Sequence, residues 1–217
     1  MVIPTTMTPT SFVKSLQQLK FDHAFNPYRD RCPVYDLADA PEQRSNILLS
    51  VLEAAVRQPV ESLWIGRDFG YRGGRRTGLA FTDDDHLPEH AKRWGLTVQC
   101  PVRGGMAGEQ SARTVWKVLS RVDAPVFLWN AFPLHPHDPG NPFSNRKHNA
   151  RERASGEGIL SLLVHMLEPS RIVAVGRDAA STASRMFGRY EIRAVRHPSH
   201  GGQRLFTDRM SGWYGLE

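Results

Sequence analysis

Three side chains in this sequence stand where chemistry is usually placed, just past the end of an apolar run. Asp68 comes shortly after Ser62-Leu63-Trp64-Ile65 and lies in a stretch rich in Gly and Arg that extends to Gly78. Asn130 closes Pro125-Val126-Phe127-Leu128-Trp129, and His197 follows Glu191-Ile192-Arg193-Ala194-Val195 and precedes Pro198-Ser199. A carboxylate supplies fixed negative charge, a carboxamide offers one acceptor and two donors, and an imidazole changes charge near neutral pH. Each also has an ordinary alternative: Asp68 as a turn carboxylate or an ion partner for its arginine neighbours, Asn130 as a strand-end turn residue, His197 as one histidine among nine. No G-x-G-x-x-G and no G-K-[ST] occurs, so dinucleotide and P-loop chemistry lose their main support.

The elements that must position these residues follow from the pattern of apolar side chains. Four short runs, at Ser62, Pro125, Arg171 and Glu191, read as buried strands, the third ending Ala174-Val175-Gly176. Helical periodicity lies between them at residues 111–121, 157–167 and 178–187, and again at 203–212. Alternation of this kind predicts a three-layer αβα domain around a central, mainly parallel four-stranded sheet. Such sheets bind ligands at the carboxyl ends of their strands, where Asp68, Asn130 and His197 could converge. Ahead of the sheet, residues 1–60 read as a helical lead-in, with helices over 11–20 and 41–58. Residues 134–155, rich in Pro, His and Arg, read as a basic loop insert.

Composition narrows the setting. The 217 residues carry 28 Lys+Arg against 22 Asp+Glu, a net charge of +6 that fits a polyanionic partner. Cys32 and Cys100, far apart, offer neither a disulfide framework nor a metal cluster. No apolar run is long enough to span a membrane, and the start MVIPTTMTPTS lacks the layout of a secretory signal, so a soluble, cytoplasmic, monomeric single domain over 1–217 is expected.

Beyond single residues, three blocks occur in order: Gly66-Arg67-Asp68, a Gly-rich stretch and Gly78-Leu79-Ala80-Phe81-Thr82; then Leu128-Trp129-Asn130; then Arg196-His197-Pro198-Ser199. In residue types, order and the separation of Asp68 from Phe81, the chain resembles the uracil-DNA glycosylase superfamily over residues 63–210. The resemblance implies a monofunctional hydrolase that flips uracil out of DNA, cuts its N-glycosidic bond without metal or other cofactor, and leaves an abasic site. Asp68 would face the positive charge developing at C1′ and orient water, and His197, as a neutral imidazole, would donate to the base O2. Asn130 would pair with N3–H and O4 and reject cytosine, and Phe81 would stack on the base. Gly66, Arg67, Phe69 and Ser199 complete the implied substrate-binding set. Arg72, Arg75, Arg146, Lys147, His148, Arg151, His200 and Arg204 are candidate DNA contacts, for single- or double-stranded substrate.

The sequence also departs from that pattern. The uracil-only branch has Pro and a bulky Tyr after its Asp, where this chain has Phe69 and Gly70, which opens the pocket to broader bases unless Tyr71 or the long loop closes it. After His-Pro-Ser the chain reads His200-Gly201-Gly202 in place of an apolar wedge, leaving Arg204 or Leu205 for that role. The basic loop around His148 resembles one that traps the sugar covalently through a His in some relatives, or it tracks phosphates. His135, His137 and Asp138 admit a metal site or an ordinary surface loop. A non-catalytic lesion-binding module and an enzyme on free nucleotides are the alternatives in other classes.

Overall fold

A computed structural model describes residues 7–103 and 108–216. The N-terminal start read above falls largely on residues 1–6, outside the described residues. In chain order the elements are α1 (Pro9–Gln18), β1 (Ala24–Phe25), α2 (Ala40–Ala55), β2 (Ser62–Asp68), α3 (Gly74–Thr77), α4 (Leu87–Arg93), α5 (Gln110–Leu119), β3 (Val126–Phe132), β4 (His135–Pro136), α6 (Ala150–Leu167), β5 (Arg171–Val175), α7 (Arg177–Met186), β6 (Glu191–Val195) and α8 (Gln203–Tyr214).

The main sheet has the order β3-β2-β5-β6 and every neighbouring pair is parallel. Helices cover it on both faces, as the alternating pattern predicted. All seven residues of β3 are buried, which is why, apart from Asn130, its sequence is apolar instead of alternating. The chain leaves β2 towards β3 on one side, then crosses back to β5 and β6 on the other. The point where that direction reverses lies between the carboxyl ends of β2 and β5, and open α/β sheets form a crevice there. Register places Gly66 beside Asn130 and Asp68 beside Phe132, so the β2 and β3 exits stand level.

The helical lead-in does more than cover the sheet. Phe12 and Leu16 of α1 and Leu48, Val51 and Leu52 of α2 are buried in the main core. The Phe12 ring lies against Trp129, with 5.5 Å between centroids. Tyr28 donates its hydroxyl hydrogen to the Gly78 carbonyl at 2.6 Å, and Arg44 donates Nε–H to the Arg76 carbonyl at 2.7 Å while pairing with buried Asp36. Two backbone oxygens of the Gly/Arg-rich loop are thus held from the N-terminal segment.

Residues 134–155 differ from the loop insert read in the sequence. Leu134 and His135 are buried, β4 pairs antiparallel with β1, and residues from 150 onward already belong to α6. That helix begins with a capping box: Asn149 accepts from the Glu152 N–H, and Glu152 accepts from the Asn149 N–H. The fully buried Glu152 carboxylate also receives a two-pronged contact from Arg146, at 2.6 and 2.7 Å. Arg146 further donates to the His137 and His23 carbonyls. Arg146, His135 and His148, read in the sequence as part of a basic loop insert, are ties that fix the segment. No described helix is long and apolar enough to cross a membrane.

Candidate active site

The strand ends meet around one cavity of about 630 Å³, and Asp68, Phe81, Asn130 and His197 all line it. Asp68, the last residue of β2, has a side chain only 4% exposed and both oxygens engaged. Arg67 donates Nε–H to Oδ2 at 2.6 Å, and His148 donates Nδ1–H to Oδ1. His148 is buried, has its ring edge-on to Phe132 and does not itself line the cavity. A carboxylate held at both oxygens has its orientation fixed while lone pairs remain to accept from water.

Asn130 and Phe81 face the one residue of β2 without a side chain. A Cβ at Gly66 would lie 2.2 Å from Asn130 Oδ1 and 2.6 Å from Phe81 Cζ, so glycine is required there by close approach. Phe81 adopts φ 54°, a left-handed conformation costly for an aromatic residue, and its carbonyl accepts from Trp116 Nε1 at 2.9 Å. The ring is therefore fixed at the cavity wall by its backbone. Phe69 fills the space that Gly74 leaves empty, because a Cβ on Gly74 would meet its ring at 2.3 Å.

His197 carries its tautomer in its hydrogen bonds. The Ser199 backbone N–H donates to Nδ1 at 3.1 Å, so Nδ1 is an acceptor and the ring hydrogen of the neutral form is on Nε2. Burial, then the charges of Arg67 and His200, push the His197 pKa down to about 4, so the ring is neutral near pH 7. Gly176, at φ 94° after β5, lets the His197 side chain approach it: a Cβ there would stand 3.3 Å from His197 Cβ. The site thus combines a fixed anion, a carboxamide, an aromatic face and a neutral imidazole donor.

No family model and no curated protein matches the chain. Among solved structures, wild-type SMUG2 of Pedobacter heparinus aligns with 97% of this chain and 98% of its own, at a TM-score of 0.64 and 15% sequence identity. The two chains share a fold. At that identity the likeness to SMUG2 concerns architecture, and the site must be judged on its own residues.

Those residues require several corrections to the DNA contacts read from sequence. Arg75 is buried, with Nε–H donated to the Tyr35 hydroxyl at 2.7 Å, Nη1–H donated to His135 Nδ1 at 3.0 Å, and its guanidinium 3.8 Å from the Phe25 ring centre. It is a core residue, not a surface contact. Arg146 lines the cavity but is committed to Glu152, and His148 is committed to Asp68. His135 donates Nε2–H to the Ser144 carbonyl and accepts from Arg75, so both ring nitrogens are used within the protein. Arg72, Lys147, Arg151, His200 and Arg204 are exposed, Lys147 pairing with Asp178 at the start of α7. Gly66, Arg67, Phe69 and Ser199 stand at or around the cavity.

The cavity also holds residues that the sequence did not single out. Asn145, Arg177, Asp178, Glu109 and Ser111 line it. Asn145 accepts from the Tyr71 N–H at 3.0 Å and so links the basic segment to the Gly-rich loop. Tyr71 does not line the cavity; the Glu109 carboxyl stands beside Gly70 instead. One signal for Glu109 was present: a Glu directly ahead of a helix, a position where Ser, Thr, Asp or Asn would cap.

Proposed function

We propose that the protein is a monofunctional DNA glycosylase that hydrolyses the N-glycosidic bond of a flipped uracil and leaves an abasic site. The observation that carries this reading is the meeting, in one cavity, of doubly held Asp68 and neutral His197 with Asn130 and the fixed Phe81 ring. The fold shared with SMUG2 supports a glycosylase of this general kind.

In the proposed reaction the C1′–N1 bond breaks with its electron pair leaving on the base, and a water oxygen bonds to C1′ and gives up a proton. Asp68 faces the developing positive charge, orients that water and accepts its proton. His197 donates Nε2–H towards the base O2, where negative charge accumulates. A neutral donor suits this role because its hydrogen bond strengthens as charge develops. Asn130 matches the N3–H and O4 edge of uracil, and Phe81 covers one face of the ring. The exposed Arg72, Lys147, Arg151 and Arg204 supply positive charge for phosphates, and His200 lines the cavity as a further polar contact.

The test is excision from one labelled oligonucleotide carrying uracil, single-stranded and paired with A or G. The product is read after alkali and, separately, on an unheated denaturing gel. Alkali-sensitive cleavage, lost in Asp68→Ala and reduced in His197→Ala, is the expected result. Binding without cleavage on all three substrates would replace the enzyme with a lesion-binding module. A denaturant-resistant adduct lost in His148→Ala would replace turnover with covalent trapping.

A further inference from the structure

Gly70 and Gly73 carry no positive φ. The Glu109 carboxyl stands against both. A Cβ on Gly70 would lie 2.6 Å from Glu109 Oε1, and a Cβ on Gly73 would lie 2.1 Å from Oε2. The carboxyl therefore rests across both glycines and forms the cavity wall that a side chain at position 70 would otherwise form.

This side chain does not cap its own helix. Glu109 is the N-cap residue of α5, yet its carboxylate makes no capping bond; its backbone N–H is held by Asp83 Oδ2 at 2.7 Å. The residue is half-buried and lines the cavity. Burial is the largest influence on its carboxyl and raises its pKa, with Asp83 acting in the same direction; a hydrogen bond from Ser111 and the charge of Arg72 oppose the shift.

With Asn130 on the N3–H and O4 edge, His197 on O2 and Phe81 on a ring face, the edge of a pyrimidine left to this wall is C5–C6. We propose that Glu109 is the specificity-determining residue for that edge and excludes a methyl group at C5, so that thymine is rejected by a polar wall supplied from α5 and not from the β2 loop. The inference rests on the glycosylase reading. A methyl pressed against the carboxyl overlaps it and strips it of polar neighbours, and a single methyl group is worth about 10- to 200-fold in discrimination.

Single-turnover excision of uracil and of thymine, each opposite G, tests this in wild type, Glu109→Ala, Glu109→Asp and Glu109→Gln, with thermal melting as the folding control. The readout is the ratio of thymine to uracil rates. Glu109→Ala should raise it by about tenfold or more, Glu109→Asp by less, and Glu109→Gln, of equal size, should stay near wild type. If Glu109→Ala does not fold, Glu109→Asp carries the comparison, because it withdraws the carboxyl by one methylene. Uracil excision with an unchanged ratio in the folded truncations would overturn the role of Glu109 alone. Wild type without uracil excision would overturn the glycosylase reading, and this inference with it.

Discussion

Adding a single methyl group at Gly66 should disable the site while leaving the fold intact. The Cβ of Gly66→Ala would stand 2.2 Å from Asn130 Oδ1 and 2.6 Å from Phe81 Cζ, against ordinary contacts of 3.4 Å and more. Roughly an ångström must be recovered on each side, and neither neighbour retreats freely. Asn130 sits in β3 directly opposite Gly66 in the sheet register, and Phe81 is held by its backbone and by Trp116. Overpacking of this kind costs about 1–3 kcal/mol, which for a chain of this size lowers Tm by about 2–4 °C per kcal/mol. The catalytic loss should be larger in proportion, because displacement of a substrate-positioning group by ~1 Å costs about a hundredfold. Single-turnover uracil excision alongside thermal melting separates the two. Activity within twofold of wild type in a folded Gly66→Ala protein would refute the placement of Asn130 and Phe81 around the base.

Removing the His148 ring should leave Asp68 held by Arg67 alone, so His148→Ala should lower kcat by up to about a hundredfold with little change in KM, and less than Asp68→Ala does; steady-state kinetics of the three proteins would show it. Arg146→Ala strands the buried Glu152 carboxylate and should cost about 3–5 kcal/mol, measured by urea unfolding. For pH, His197 is held down at about 4 and His90 and His135 at about 3, all chiefly by burial. Their depressed values mean that the unfolded chain takes up protons first. Stability from these groups is complete above about pH 6.5 and is lost as pH falls through 4 towards 3. Melting temperature should fall over that window, with a shallower slope in His197→Gln; a flat profile would count against buried neutral imidazoles.

The sheet and its strand ends were legible because apolar runs bounded by Gly, Asn, Asp and Pro leave little choice of element. The joint order of Asp68, Asn130 and His197 then located the crevice. Arg75 and Arg146 were misread as phosphate contacts because charge in a sequence is indifferent to what lies beside it; here Phe25, Tyr35, Phe143 and Glu152 make them structural. The start of α6 was hidden by composition, although Asn149 and Glu152 stand at capping-box spacing. The two-residue strands β1 and β4 are too short to carry a period. Glu109 was missed because its place beside Gly70 depends on the chain folding back between β2 and β3, which no local pattern records.

The bonds from Tyr28 to the Gly78 carbonyl and from Arg44 to the Arg76 carbonyl span 50 and 32 residues. Loops that carry function generally open at little cost, ahead of the rest of the molecule. This one is fastened to a segment that is itself part of the main core, so it has no independent route to opening. Its amide hydrogens should exchange with solvent at nearly the rate of the central strands, and a shortened chain beginning at β2 would keep the reactive residues but not the shape that holds them.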